Sequence, residues 1–219
     1  MSRPETLWVN DFDRTLLDTD SAYQLLVSTC EETGVVGEGE LEIVRHETEA
    51  SGGSFSPLDY LAQCGVRGAI LSDLLERYGR SGQQMDLLYP DARRYLTALG
   101  EADQPAVILT YGNVAWQTAK LKAAGLINIP HIITDNAHKG QVIAGWQQRV
   151  GYRIQTWGHQ LSGERVFLVD DKATSFTALP GDAAGAWIVR GEVLTRQQGD
   201  LPESVRRIKS LDELNVATD

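Results

Sequence analysis

The chain has 219 residues, 42% of them hydrophobic and 23% charged, a globular composition with room for one sizeable core and a smaller appendage. Its net charge of −10 argues against a protein that holds nucleic acid through its phosphates or docks on an acidic membrane surface. A small anionic substrate stays open, because local charge in a cleft outweighs the total.

Leu7-Trp8-Val9-Asn10 has strand length and ends at Asp11, with a second acid, Asp13, two residues on. Arg3, Glu5 and Asp11 surround this very short apolar run, so it does not read as a signal peptide. No segment approaches the roughly 20 apolar residues of a membrane span, and a cytoplasmic location is expected. Residues 18–88 then read as helix after helix. Tyr23, Leu26, Val27 and Cys30 fall at i, i+3, i+4 and i+7, with Gly34 as the stop. Leu41 and Val44 mark a second helix, broken at Gly52-Gly53. Ser56-Pro57 reads as an N-cap and first-turn proline ahead of Leu58, Leu61 and Ala62. Ile70, Leu71, Leu74, Leu75 and Tyr78 form a fourth stripe, ended by Gly79. Such stripes are the core of a small helical bundle. Cys30 and Cys64 stand outside any Cys-x-x-Cys pattern and read as small apolar side chains in a reducing compartment.

The chain returns near Tyr89-Pro90 to a strand and helix rhythm. Ala106–Leu109 ends at Thr110, and the stretch from Val114 to Ala124 is helix-compatible and closed by Gly125. His131-Ile132-Ile133 ends at Thr134 and Asp135. Val150, Ile154, Trp157 and Leu161 fall at i, i+4, i+7 and i+11, which predicts a helix stopped by Gly163. Val166–Val169 ends at Asp170-Asp171, and Ala186–Val189 ends at Arg190. Near-continuous apolar strands imply a sheet covered on both faces, and their alternation with helices implies an α/β, doubly wound parallel sheet. The expected division is a core domain of residues 1–17 and 89–219 with a helical cap of residues 18–88. The cap leaves directly after the paired acids and is expected to hang over them.

Four polar features therefore sit at predicted strand ends, where open α/β sheets bind ligands. They are Asp11 with Asp13; Thr110, followed by Tyr111-Gly112-Asn113, a turn able to aim N–H groups at an anion; Lys139; and Asp170-Asp171. Each alone has an ordinary structural reading, as a turn residue, helix cap or surface lysine. Together, in order from about residue 6 to 190, they resemble the four motifs of the haloacid dehalogenase superfamily. Most members of that superfamily are phosphatases. The helical insert between the first and second motifs resembles the family's common cap.

That resemblance implies a Mg²⁺-dependent phosphatase acting on a small phosphorylated metabolite through an aspartyl-phosphate intermediate. Asp11 is then the nucleophile and Asp13 the acid and base. Thr110, Tyr111, Gly112 and Lys139 join Asp11 in holding the phosphoryl group. Asp11, the carbonyl of Asp13, Asp170 and Asp171 surround the metal, with Asp171 either binding it or holding one of its waters. Asp13 also points away from halide displacement, which needs no proton donor and is run by members lacking this second acid. A phosphomutase on a sugar phosphate and a non-catalytic phosphate-binding module are the alternatives. Arg14 stands where the family often has glycine; it is read as structural, fitting the turn if its φ is negative. Asp135, Lys172 and the four histidines are read as ordinary residues, Trp146 and Trp157 as packing, and Tyr23, Arg45 and His46 as solvent-facing residues of the cap.

Overall fold

The computed structural model describes residues 6–50, 55–156, 158–191 and 201–216. Arg3 and Glu5, the Gly52-Gly53 break and Trp157 lie outside them. The chain divides into two compact units, one of Met1–Asp18, Leu88–Tyr111 and Asn128–Asp219, the other of Thr19–Leu87 and Gly112–Ile127.

The first unit is built on a parallel sheet of six strands: β1 (Thr6–Asn10), β2 (Ala106–Tyr111), β3 (His131–Thr134), β6 (Arg165–Asp170), β7 (Ala184–Ile188) and β8 (Val205–Ile208). Their order is β3-β2-β1-β6-β7-β8, with every neighbouring pair parallel. The chain moves outward from β1 to one side through β2 and β3, then restarts on the other side with β6. β1 is therefore the switch point of the doubly wound sheet, and the carboxyl ends of β1, β2 and β6 lie side by side there. All five residues of β1 are buried, as a strand covered on both faces requires. On one face Leu7 and Val9 pack with Val107, Leu109, Val166 and Leu168. On the other, Trp8 meets Phe167 at 4.8 Å and Tyr95 of helix α5 (Pro90–Glu101) at 5.8 Å between ring centres. Tyr95 also donates its hydroxyl to Asn10 Oδ1 at 2.8 Å, which pins α5 to the last residue of β1.

The segment around Val150–Leu161 departs from the helical expectation. It is an antiparallel hairpin of β4 (Tyr152–Thr156) and β5 (His159–Gly163). Ile154 and Leu161 face each other across it, and Tyr152, Ile154 and Thr156 are buried while Arg153 and Gln155 are exposed. Burial alternates along β4, and Ile154 and Leu161 meet as a cross-strand pair, while Val150 lies outside the hairpin's strands and is exposed. Gly158, at φ +74°, lies in the tight turn between the arms. β8, with its outer residues Val205 and Ile208 buried and Arg206 and Arg207 exposed, is too short a pattern to have been read as a strand.

The second unit holds α1 (Thr19–Glu32), α2 (Glu40–Ala50), α3 (Pro57–Gln63), α4 (Gly68–Met85) and α6 (Val114–Ala123). Ser56 caps α3 as read, accepting from Asp59 N–H. Tyr23 is buried, not solvent-facing: its hydroxyl donates to Leu41 O at 2.9 Å, and the Arg45 guanidinium lies 4.4 Å from its ring centre. Gly79 does not end α4, which runs on to Met85. The reason is packing. Gly79 and Gly82 lie on the buried face with Leu74 and Tyr78, and a Cβ on Gly82 would stand 2.6 Å from Ala123 Cβ. Glycine here allows α6 to approach α4 closely, and Tyr78 stacks beside Trp116 at 5.4 Å. That contact groups α6 with the helices before β2, although the sequence division placed it in the core domain. No helix among the described residues is long and apolar enough to cross a membrane.

Candidate active site

Asp11 follows β1 directly, and its N–H donates to Val169 O of β6 at 2.8 Å, so the end of one strand is sewn to the next. Its carboxylate is buried, with only 7% of the side chain exposed. Lys139 Nζ donates to Asp11 Oδ1, and Thr15 Oγ1 donates to Asp11 Oδ2 at 2.9 Å. Lys139 Nζ also donates to Asp170 Oδ2 at 2.6 Å, and the backbone N–H of Lys172 donates to Asp170 Oδ1 at 2.8 Å. The lysine is thus a buried bridge between the first and last strand-end acids.

Local structure delivers Lys139 to this point. After β3, Thr134 Oγ1 accepts from Asn136 N–H at 3.0 Å and Asn136 Oδ1 accepts from His138 N–H at 2.8 Å, two side-chain turns that steer the chain into helix α7 (Lys139–Ala144). The next residue must be glycine, because a Cβ on Gly140 would stand 2.4 Å from Thr177 O. That close approach seats the start of α7 against the loop after β6.

Asp11, Asp170 and Asp171 each offer a carboxylate oxygen, and these oxygens lie within 4.8 Å of one another. Burial pushes the Asp11 carboxyl up to about 6, with Asp170 and Asp13 adding to the rise and Lys139 opposing it. Burial, then Asp11 and Asp170, push Asp171 up to about 7. Burial works against the charge on Lys139, but the two carboxylates outweigh it and hold its ammonium above the ordinary range. Against these three carboxylates stand two lysine charges among the described residues, Lys139 in contact with Asp11 and Asp170 and Lys172 acting on Asp171, which leaves excess negative charge. All-oxygen donors with that excess are the donor set of a hard divalent cation.

Thr110, at the end of β2, is 1% exposed, and its hydroxyl has no hydrogen-bond partner among the described residues. That leaves a buried hydroxyl at a strand end beside the switch point with its donor unused among the described residues. Asp13 is half-buried on the turn after β1, near enough for its charge to add to the rise at Asp11. Tyr111 is exposed at the end of β2, and Gly112 opens the second unit, where Asn113 caps α6 through Trp116 N–H at 3.1 Å. Asp135, Lys172 and His138 are exposed.

Thr15 closes the Asp11–Thr15 motif, in which the resemblance assigns it no separate role; its hydroxyl orients the Asp11 carboxylate. Arg14 has φ +59°, on the left-handed side that a side chain disfavours, so the expected negative φ is corrected. Its N–H donates to Leu17 O at 3.0 Å, while Leu16 and Leu17 N–H both reach back to Phe12 O. Residue 14 takes the left-handed conformation inside this closed turn.

No protein-family model matches the chain, and no curated protein does. Solved structures do. A haloacid dehalogenase-like hydrolase of Burkholderia xenovorans LB400 superposes with a TM-score of 0.60 at 22% identity, over 99% of this chain and 97% of that one. The HAD-hydrolase YfnB of Bacillus subtilis gives 0.52 at 14% identity, over 96% and 97%. CbbY of Rhodobacter sphaeroides gives 0.52 at 14% identity, over 96% of both chains. The chain has the fold of the haloacid dehalogenase superfamily.

Proposed function

We propose that the protein is a Mg²⁺-dependent phosphomonoester hydrolase acting on a small phosphorylated metabolite. The observation that carries this reading is the buried Asp11 carboxylate, held from both sides by Thr15 and Lys139 within reach of Asp170 and Asp171. Such an acid is preorganised for attack. The solved YfnB structure is bound to magnesium and a CbbY structure is in complex with xylulose-1,5-bisphosphate, and both facts support the reading by analogy.

In this mechanism the Asp11 carboxylate attacks the phosphorus and the ester P–O bond breaks. Asp13 gives its proton to the departing oxygen. A water then attacks the aspartyl phosphate, Asp13 takes its proton, and the bond from phosphorus to Asp11 breaks to release phosphate. Lys139 and the Thr110 hydroxyl stabilise the phosphoryl oxygens. Asp11, Asp170, Asp171 and the carbonyl of Asp13 would hold Mg²⁺, which supplies positive charge against the repulsion between carboxylate and phosphate dianion. Asp13 favours phosphate over halide as the group removed, since a halide leaves without a proton.

The test is direct. Purified protein with Mg²⁺ is expected to release phosphate from an aryl phosphate, and Asp11→Asn to abolish release. Turnover that survives Asp11→Asn overturns the nucleophile assignment. Halide release from a haloacid without phosphate release overturns the phosphatase reading.

A further inference from the structure

Arg190 lies two residues beyond β7 and reaches back to the turn that follows Asp11. Its Nε donates to Arg14 O at 3.2 Å and its Nη2 to Thr15 O at 2.8 Å. Its Nη1 donates to Asp91 Oδ2 at 3.0 Å, and the guanidinium lies 3.8 Å from the centre of the Tyr89 ring. The anchor is itself fixed. Asp91 Oδ2 also accepts from Ser210 Oγ at 3.0 Å and from Leu211 N–H at 2.9 Å. Burial works against the Asp91 charge, but Arg190 and these donors hold its carboxyl below the usual range. One planar fork thus ties two consecutive carbonyls of the turn to a buried carboxylate, an arrangement that a lysine, with one point of charge, does not reproduce.

The turn has two reasons to need holding. Arg14 sits at φ +59°, a conformation that persists in a residue with a side chain when its surroundings over-determine it. The next residue, Thr15, carries the hydroxyl that donates to Asp11 Oδ2. A shift of the Thr15 backbone therefore moves the group that sets the rotation of the Asp11 carboxylate.

We propose that Arg190 is a positioning residue for Asp11: by clamping the carbonyls of Arg14 and Thr15 to Asp91, it holds the left-handed turn that lets Thr15 orient the carboxylate. The kinetic consequence rests on the phosphatase reading; the structural one does not.

Arg190→Lys keeps a positive charge beside Asp91 and removes the fork. Hydrogen exchange at the amides of Arg14, Leu16 and Leu17 is expected to accelerate about tenfold, with the Asp11 amide unchanged. On an aryl phosphate with Mg²⁺, kcat is expected to fall about tenfold while KM stays within about twofold, the signature of a misplaced reacting group. Adding Arg14→Gly should restore most of both, because glycine takes positive φ without strain. A role confined to fastening the later part of the chain predicts no such rescue. Wild-type exchange at those three amides in Arg190→Lys, or failure of Arg14→Gly to restore them, overturns the proposal. Should Arg190→Lys not fold, Asp91→Asn removes the anchoring charge and decides the matter by the same exchange pattern and the same rescue. A wild-type protein silent on every aryl phosphate sinks the phosphatase reading, and the exchange data still decide the clamp.

Discussion

The carboxyl edge of the sheet and the contact between α4 and α6 are both closely packed, and they spend that packing differently. At the edge, Asp11, Lys139 and Asp170 are buried against one another, with the Asp11 carboxyl pushed up and an ammonium held charged. Along α4, Gly82 meets Ala123 and Tyr78 meets Trp116, contacts of shape alone. Buried charge is a poor way to stabilise a fold, since the cost of leaving water rivals the attraction between the partners. Shape contact has no such cost. The edge therefore carries buried charge that fit alone does not call for, while α4 and α6 are free to optimise fit.

The largest effect is expected at Asp11. Asp11→Asn keeps the volume and removes the proposed nucleophile, and should reduce kcat on an aryl phosphate by about a thousandfold or more with the fold retained. Circular dichroism and turnover on the same sample separate the two. A comparable loss of folding would mean that the edge is built for stability after all.

Lys139→Met comes next. It leaves Asp11 and Asp170 facing each other without their common partner, which should destabilise the protein by about 3–5 kcal/mol in urea unfolding. The loss should be smaller at pH 5 than at pH 8, because the stranded carboxylates can take up protons. Equal losses at both pH values would count against buried charge as the cause.

The pH dependence of the metal-free protein follows from Asp11 and Asp171. Their folded pKa values, about 6 and about 7, lie above the unfolded value of about 4. The native chain then holds protons that the unfolded chain has released, so stability falls as pH rises from about 4 to 7 and levels off above. For Asp11 alone the linkage is on the order of 3 kcal/mol. Asp91, with its carboxyl held low, acts in the opposite sense and only below that window. Thermal unfolding in a chelator should show a higher midpoint at pH 5 than at pH 8. Saturating Mg²⁺ should raise the pH 8 midpoint more, since a cation bound by the native carboxylates replaces the protons. A higher midpoint at pH 8 in the chelator would refute the excess negative charge at the edge.

Much of the edge was legible in the sequence. Asp11, Thr110 and Asp170-Asp171 each terminate an apolar run of strand length, and parallel order brings such ends together. What stayed hidden depends on the third dimension. Arg190 acts on a turn 175 residues earlier, and nothing local distinguishes it from any arginine after a strand. The left-handed φ at Arg14 belongs to a turn closed by bonds among Phe12, Arg14, Leu16 and Leu17 and reached by Arg190, contacts that the identity of residue 14 does not announce. The β4–β5 hairpin was misread because Ile154 and Leu161 fit a helical spacing as well as a cross-strand pair. Gly79 looked like a stop because glycine ends helices more often than it packs them.

That last ambiguity gives the finest test of the comparison, because α4 carries two glycines on one face with different surroundings. A Cβ on Gly82 would stand 2.6 Å from Ala123 Cβ and 2.9 Å from its carbonyl oxygen, whereas a Cβ on Gly79 meets nothing within 4 Å. In a helix interior alanine is better than glycine by about 1 kcal/mol. Gly82→Ala should nevertheless destabilise the protein by about 1–3 kcal/mol, because backbone and side chain must both give way. Gly79→Ala should stabilise it by up to about 1 kcal/mol, the smallest effect here and the one of opposite sign. Urea unfolding of the two variants decides the point. If both stabilise, α4 and α6 are not held at glycine distance, and fit is not what groups α6 with the earlier helices. If the signs split, shape contact at this helix pair is as exacting as the charge at the edge, at a scale of one methyl group.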